Sequence, residues 1–157
     1  MSDKRSAGLL LFRRAADGIE VLIGHMGGPF WANRQEAAWS VPKGEYAAGE
    51  APEAAAAREF REELGLPAPD GEWLALGEAR QRNGKVVTVW AVEGDLAPDA
   101  VVPGTFTMEW PPGSGVPEEF PEIDRVGWFT PEAAAPLLVS GQRVFLERLA
   151  ERLGGRA

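Results

Sequence analysis

Glu59, Glu62 and Glu63 put three carboxylates within five residues, in the run REFREELGL. At about 100° per residue they share one helical arc roughly 100° wide. Like charges on neighbouring turns repel, each pair costing about 0.2–0.5 kcal/mol. Arg58 and Arg61 flank the cluster and offset part of that cost. Hard carboxylate oxygens beside an apolar face are the ligand type for Mg²⁺ or Mn²⁺. For such a run taken alone, a solvated acidic face is the alternative.

These acids need a helix. Pro52 and Glu53 follow Gly49-Glu50, placing a proline and an acid where a helix opens. Ala54 to Ala57 are strong helix formers, and Gly65 is a stop signal. The predicted helix runs from about Ala51 to Leu64, with Ala56, Ala57, Phe60 and Leu64 on its core face.

The elements around it follow in order. Ala7–Arg13 and Ile19–His25 read as strands of an opening hairpin, turned at Ala15-Ala16-Asp17-Gly18. Residues 26–38 form an irregular loop holding Phe30, Trp31 and Arg34. It serves equally as a surface loop or as a flap offering an aromatic ring and a cation to a ligand. His25, the one histidine, stands at a strand end and reads as structural. Trp39–Glu45 leads into the helix, and Gly44 there is expected to make a tight turn. Lys43 faces the approach of a phosphate; a salt bridge to a nearby glutamate is its other role.

Beyond the helix, Glu72–Ala79 and Lys85–Glu93 are strands joined around Arg82-Asn83-Gly84. A segment rich in Pro, Gly and acids spans 94–121, with one possible strand at Phe106–Trp110 and a loop at Pro111–Pro117. Ile123–Phe129 is the last strand. Thr130-Pro131-Glu132 opens two helices, Pro131–Val139 and Gln142–Leu153, split at Ser140-Gly141. Strands, a helix, strands and C-terminal helices make an α+β pattern.

With 157 residues, the chain is expected to be one domain, 1–157. It has no cysteine, which leaves oxygen as the main metal donor. A net charge of −8 argues against a nucleic-acid binder but not against a small-molecule nucleotide, because divalent metal bridges acid and phosphate. Neither a signal-like start nor an apolar run near the roughly 20 residues of a membrane span is evident, so a cytoplasmic protein is expected. The oligomeric state is not legible.

Gly44, Glu50, Arg58-Glu59-Phe60, Glu62-Glu63 and Gly65-Leu66 stand at the spacing G-x5-E-x7-R-E-U-x-E-E-x-G-U, with U apolar. Nine constrained positions over 23 residues are highly specific. The chain resembles the Nudix hydrolases at every one of them. The resemblance covers nearly the whole chain and implies the Nudix fold, an α/β/α sandwich with a mixed β-sheet. It also implies metal-dependent cleavage of a nucleoside diphosphate linked to another group.

By the same resemblance Glu59, Glu62, Glu63 and the Gly44 carbonyl would hold Mg²⁺ (or Mn²⁺). Arg58 and Glu50 would orient the carboxylates, and Glu59 would be the first candidate for the base that activates water. Glu109, Glu118, Glu119 and Glu122 are acids outside the motif. Glu122, six residues before Trp128, matches an extra metal-binding glutamate of some family members. Lys43, Arg34, Trp31 and Lys85 make up the expected substrate-binding set.

SAGLLLFRR, WSVPKG, KVVTVWAV and EIDRVGWF together look like the dinucleoside polyphosphate hydrolases of the asymmetrical diadenosine tetraphosphate type. The chain departs from them at 26–38 and 94–121, and it lacks a tyrosine pair to stack an adenine. Trp31, Trp90 or Trp110 would have to stack instead. Cleavage of diadenosine tetraphosphate to ATP and AMP is the leading expectation. Hydrolysis of nucleoside triphosphates or nucleotide sugars is the alternative, and a nucleotide-binding regulator without activity is a third.

Overall fold

A computed structural model describes residues 4–16 and 18–154. Strand β1 (Arg5–Ala15) and strand β2 (Gly18–Met26) pair antiparallel, the register closing at Ala15↔Gly18. The expected hairpin is therefore present, and the Asp17 of its turn lies outside the described residues. Two short strands follow, β3 (Trp39–Ser40) on β2 and β4 (Lys43–Glu45) on β1. After helix α1 (Pro52–Leu64) come β5 (Leu74–Arg80) and β6 (Val86–Glu93), paired antiparallel. β6 lies parallel to β1, so the sheet is mixed. Strand β9 (Ile123–Phe129) adds to the outer side of β2. The seven-stranded sheet has the path β3-β2-β1-β6-β5, with β4 and β9 joined to β1 and β2.

The sequence Leu9-Leu10-Leu11-Phe12 explains the layering. A strand sends alternate side chains to opposite faces, so a continuous apolar run must be covered on both. Leu9 and Leu11 pack with Phe60 and Leu64 of α1. Leu10 and Phe12 face the other way, into a cluster with Phe145 and Leu149. Those two belong to α3 (Val144–Arg152), which follows α2 (Pro131–Leu137) and a 3-10 turn at Ser140–Gln142. Helices thus cover both faces, the α+β arrangement expected. Among the described residues no helix is long and apolar enough to cross a membrane.

Three local expectations change. The buried face of α1 is Ala55, Ala56, Glu59, Phe60 and Leu64, with Ala57 only half-buried. The helix is rolled so that one of its acids goes inward. Residues 117–121 form a strand, β8 (Pro117–Pro121), paired with β7 (Thr105–Glu109) in a separate ribbon. Prolines at both ends mask it, yet it brings Phe120 to 6.0 Å from Phe106. Both C-terminal helices are shorter than predicted. Pro136 lies inside α2, and Leu138 leaves it with an extended backbone. Thr130 caps that helix as expected, its hydroxyl accepting from the Ala133 N–H at 3.2 Å.

Phe60 carries the packing of α1 and is fully buried. Phe60→Ala should cost about 3–5 kcal/mol. Urea unfolding followed by circular dichroism measures it.

Candidate active site

Glu59 is a charged residue only 9% exposed. It points at β4, where Gly44 pairs with Ala7. A Cβ at Gly44 would run into the Glu59 carboxylate. Gly44 is therefore not in a tight turn. It lies within a strand, and a side chain is what the position cannot accommodate.

Arg58 ties the acids together. Its Nε and Nη2 donate to the two oxygens of Glu50 at 2.8 and 2.9 Å. Its Nη1 donates to Glu59 Oε2 at 2.6 Å and to Glu62 Oε2 at 3.1 Å. A planar guanidinium can serve several carboxylates at once because its donors are held in a fixed fork. The guanidinium holds the Glu50 carboxyl below its usual range, through the direct hydrogen bond. The Glu59 carboxyl goes the other way: burial raises it, and Arg58 opposes that only in part.

Glu63 accepts the backbone N–H of Lys43 at 2.8 Å. Burial pushes its carboxyl up to about 8, and the charges of Glu122 and Glu59 add to the shift. Glu122 thus comes to the motif from β9's approach, though it stands 59 residues beyond Glu63 in sequence. Its backbone is held on both sides, its N–H by Gly104 O at 2.8 Å and its carbonyl by Gly27 N at 3.0 Å.

As they stand, no three acids or histidines among the described residues converge into a ready cation cage. Arg58 and the Lys43 N–H occupy the carboxylates instead. The donor chemistry nevertheless fits Mg²⁺ or Mn²⁺. All the ligand atoms are hard oxygens, and two of the carboxyls are driven towards protonation by burial and mutual repulsion. Bound divalent charge would relieve that.

Beside Lys43 lies a cavity of about 320 Å³, lined by Trp31, Ser40, Gln81, Asn83 and Gln142 among others. Two of the expected substrate contacts, Trp31 and Lys43, therefore meet here. Arg34 is exposed and stacks over the Trp31 ring at 5.0 Å. Lys85 is not gathered with them: its Nζ is ion-paired to Glu45 at 2.6 Å. A larger hollow of about 690 Å³ opens among Phe12, Arg14, Glu93 and Arg152, and no motif residue lines it.

Gln142 is a site residue the sequence did not flag. It is fully buried, accepts the Val41 N–H at 2.8 Å, and donates to Ser40 Oγ and Gln81 Oε1, both at 3.0 Å. It joins the chain leading into Lys43-Gly44 to the β5–β6 turn. A glutamine in the short 3-10 turn between two helices has no local pattern that marks it as buried.

A family model described as the NUDIX domain matches residues 2–149. The chain belongs to the Nudix family. It is accordingly a pyrophosphohydrolase, a hydrolase acting on acid anhydrides. No curated protein matches the sequence. Among solved structures, a Caenorhabditis elegans Ap4A hydrolase in a binary complex aligns with TM-score 0.69 at 22% identity, over 96% of this chain and 99% of that one. The NUDIX domain of Shewanella oneidensis NrtR, complexed with ADP ribose, aligns at 0.66 and 15%, over 98% and 90%. RenU, a Nudix hydrolase from M. smegmatis, aligns at 0.59 and 25%, over 97% and 86%. The first two likenesses are of fold.

A pH signature follows for this Nudix protein. A carboxyl raised in the folded state stabilises it below the unfolded value, and that contribution is lost as pH rises through the folded one. For Glu63 the window runs from 4.5 to about 8. The metal-free protein should lose melting temperature across that window, and Glu63→Gln should flatten the slope. Mg²⁺ should restore the wild-type melting temperature most at the alkaline end. Calorimetric scans with and without the metal check both.

Proposed function

We propose that this Nudix protein is a metal-dependent pyrophosphohydrolase that cleaves diadenosine tetraphosphate to ATP and AMP, carried by a single domain over residues 1–157. One observation carries the reading. Glu63 accepts the backbone N–H of Lys43, next to the Gly44 against which the buried Glu59 rests, and the same lysine lines a cavity with Trp31.

In this reading Glu59, Glu62, Glu63, Glu122 and the Gly44 carbonyl would hold the divalent cation. The chemistry it supplies is neutralisation of phosphate charge and acidification of the attacking water. The rest is the work of the chain. Arg58, itself fixed by Glu50, sets the direction of Glu59 and Glu62. Glu59 accepts the proton of water as its oxygen bonds to phosphorus, and the anhydride P–O bond breaks in line on the far side. Trp31 offers a face to the base, and Lys43 and Arg34 offer cations to the phosphates.

Diadenosine tetraphosphate is favoured by the W-x-x-P-K-G lead-in at Trp39–Gly44 and by the likeness to the C. elegans Ap4A hydrolase. The ADP ribose complex of the NrtR domain favours a second reading, a nucleotide sugar or ADP-ribose-like substrate. An inactive regulator fits less well, since a binder has no need of mutually repelling acids.

Chromatography of products with Mg²⁺ and with Mn²⁺ separates these readings. The expected result is ATP and AMP in equal amounts from diadenosine tetraphosphate, with slower turnover of nucleoside triphosphates and ADP-ribose. AMP with a sugar phosphate as the main products would select the second reading. Glu63→Gln should keep the fold and lower kcat by orders of magnitude. Unchanged turnover would remove Glu63 from the mechanism.

A further inference from the structure

We propose that His25 is a positioning residue for the substrate, bolting the loop that carries Trp31 and Arg34 to the strand that follows Glu122. The inference rests on the reading that this loop borders the nucleotide.

Residues 27–38 run for twelve positions without helix or strand. So long an irregular loop inside a compact fold needs anchors or a role. Its ends are anchored by backbone. Gly27 N–H donates to Glu122 O, Met26 N–H to Ala38 O, and Ala37 N–H to Pro136 O, each at 3.0 Å. Gln35 Oε1 accepts the Trp39 indole N–H at 3.2 Å. Ala37 is held at φ 55°, a left-handed conformation an alanine does not choose, so the surrounding contacts impose it.

At Arg34 the tie comes from inside the protein. His25 is fully buried at the end of β2. Its Nε2 reaches the Arg34 carbonyl at 2.6 Å. Its Nδ1 reaches both oxygens of Asp124, at 2.9 and 3.1 Å. Both partners are oxygens, and the ring nitrogens lie within hydrogen-bond distance of each, the tautomer setting which nitrogen donates. Trp39 stands edge-on to the ring at 5.4 Å and fixes its plane. Arg125 grips Asp124 at 3.2 Å from the solvent side and stacks over Trp39 at 5.3 Å.

The result is one continuous link. Trp31 lines the cavity, and the Arg34 guanidinium lies over its ring. The Arg34 backbone is bound by His25, His25 by Asp124, and Asp124 stands two residues after Glu122 in the chain. The substrate wall and an acid of the catalytic end are thus held in one register by a single buried ring. His25 is too deep to touch substrate, and Glu122 keeps its own backbone bonds to Gly104 and Gly27, so the loss of His25 falls on the loop and hence on binding.

His25→Phe tests this, since it keeps a ring against Trp39 and removes both hydrogen bonds. Two readouts apply: steady-state kinetics on diadenosine tetraphosphate, and trypsin cleavage after Arg34, whose carbonyl is the one His25 holds. The expected result is a KM raised about tenfold with kcat near wild type, and faster cleavage after Arg34. His25→Gln, which can keep one of the two bonds, should show a smaller rise, and it serves if the Phe variant does not fold. Unchanged KM in either soluble variant overturns the proposal, as does an equal fall in kcat. Faster cleavage after Arg34 with unchanged KM would mean that His25 holds the loop but the loop does not meet substrate. If wild type instead cleaves another nucleotide, the diadenosine reading fails on its own, and the same KM comparison on that nucleotide decides the role of His25.

Discussion

The site depends on a glutamate that is buried while still charged or chargeable. Glu59 enters the protein on the inner side of α1 and rests against Gly44, the one residue type that leaves it room. Burying a carboxylate is costly unless it is paired. Arg58 is the pair, and the same guanidinium reaches Glu50 and Glu62. The spacing of glycine, arginine and glutamates in the sequence is therefore a set of mutual requirements. Gly44 makes the space, Glu59 fills it, Arg58 compensates the charge, and Glu50 fixes Arg58. A change at any one leaves another without its partner.

The sheet supplies the fixed frame for that cluster. β1 is covered on both faces, and it carries β4 on one side and β6 on the other. α1 packs on one face through Phe60 and Leu64, so its acids meet β4 at a defined height. On the other face Gln142 satisfies the Val41 N–H and braces Ser40. A fully satisfied buried amide of this kind specifies one arrangement of the strands beside Lys43. The cavity next to Lys43 is thus bounded by rigid parts. Its remaining wall includes Trp31 and Ala37 of the 27–38 loop.

Much of this was legible without coordinates. The helix, the hairpin, the last strand at Ile123–Phe129 and the cap at Thr130 follow from local rules, and the structure has them within a residue or two. The roll of α1 was not legible, because Glu59 reads as polar until Gly44 is known to lie beneath it. β8 was not legible either: Pro117 and Pro121 look like loop, and its reason to be extended is the pairing with β7. Lys85 illustrates the limit on side chains. Its charge suited a phosphate, but Glu45 two strands away takes it up.

The sequence by itself determined the family, the α+β class and which acids belong to the motif, because each of these is written in spacing along one helix and its entry. Only the tertiary structure decided which of those acids is buried, which cation each is given, and which neighbours Glu122 and His25 find. Their partners lie far along the chain: Glu122 approaches Glu63 from 59 residues away, and His25 meets Asp124 across 99. Desolvation and charge compensation depend on such distant neighbours, and local periodicity carries no record of them.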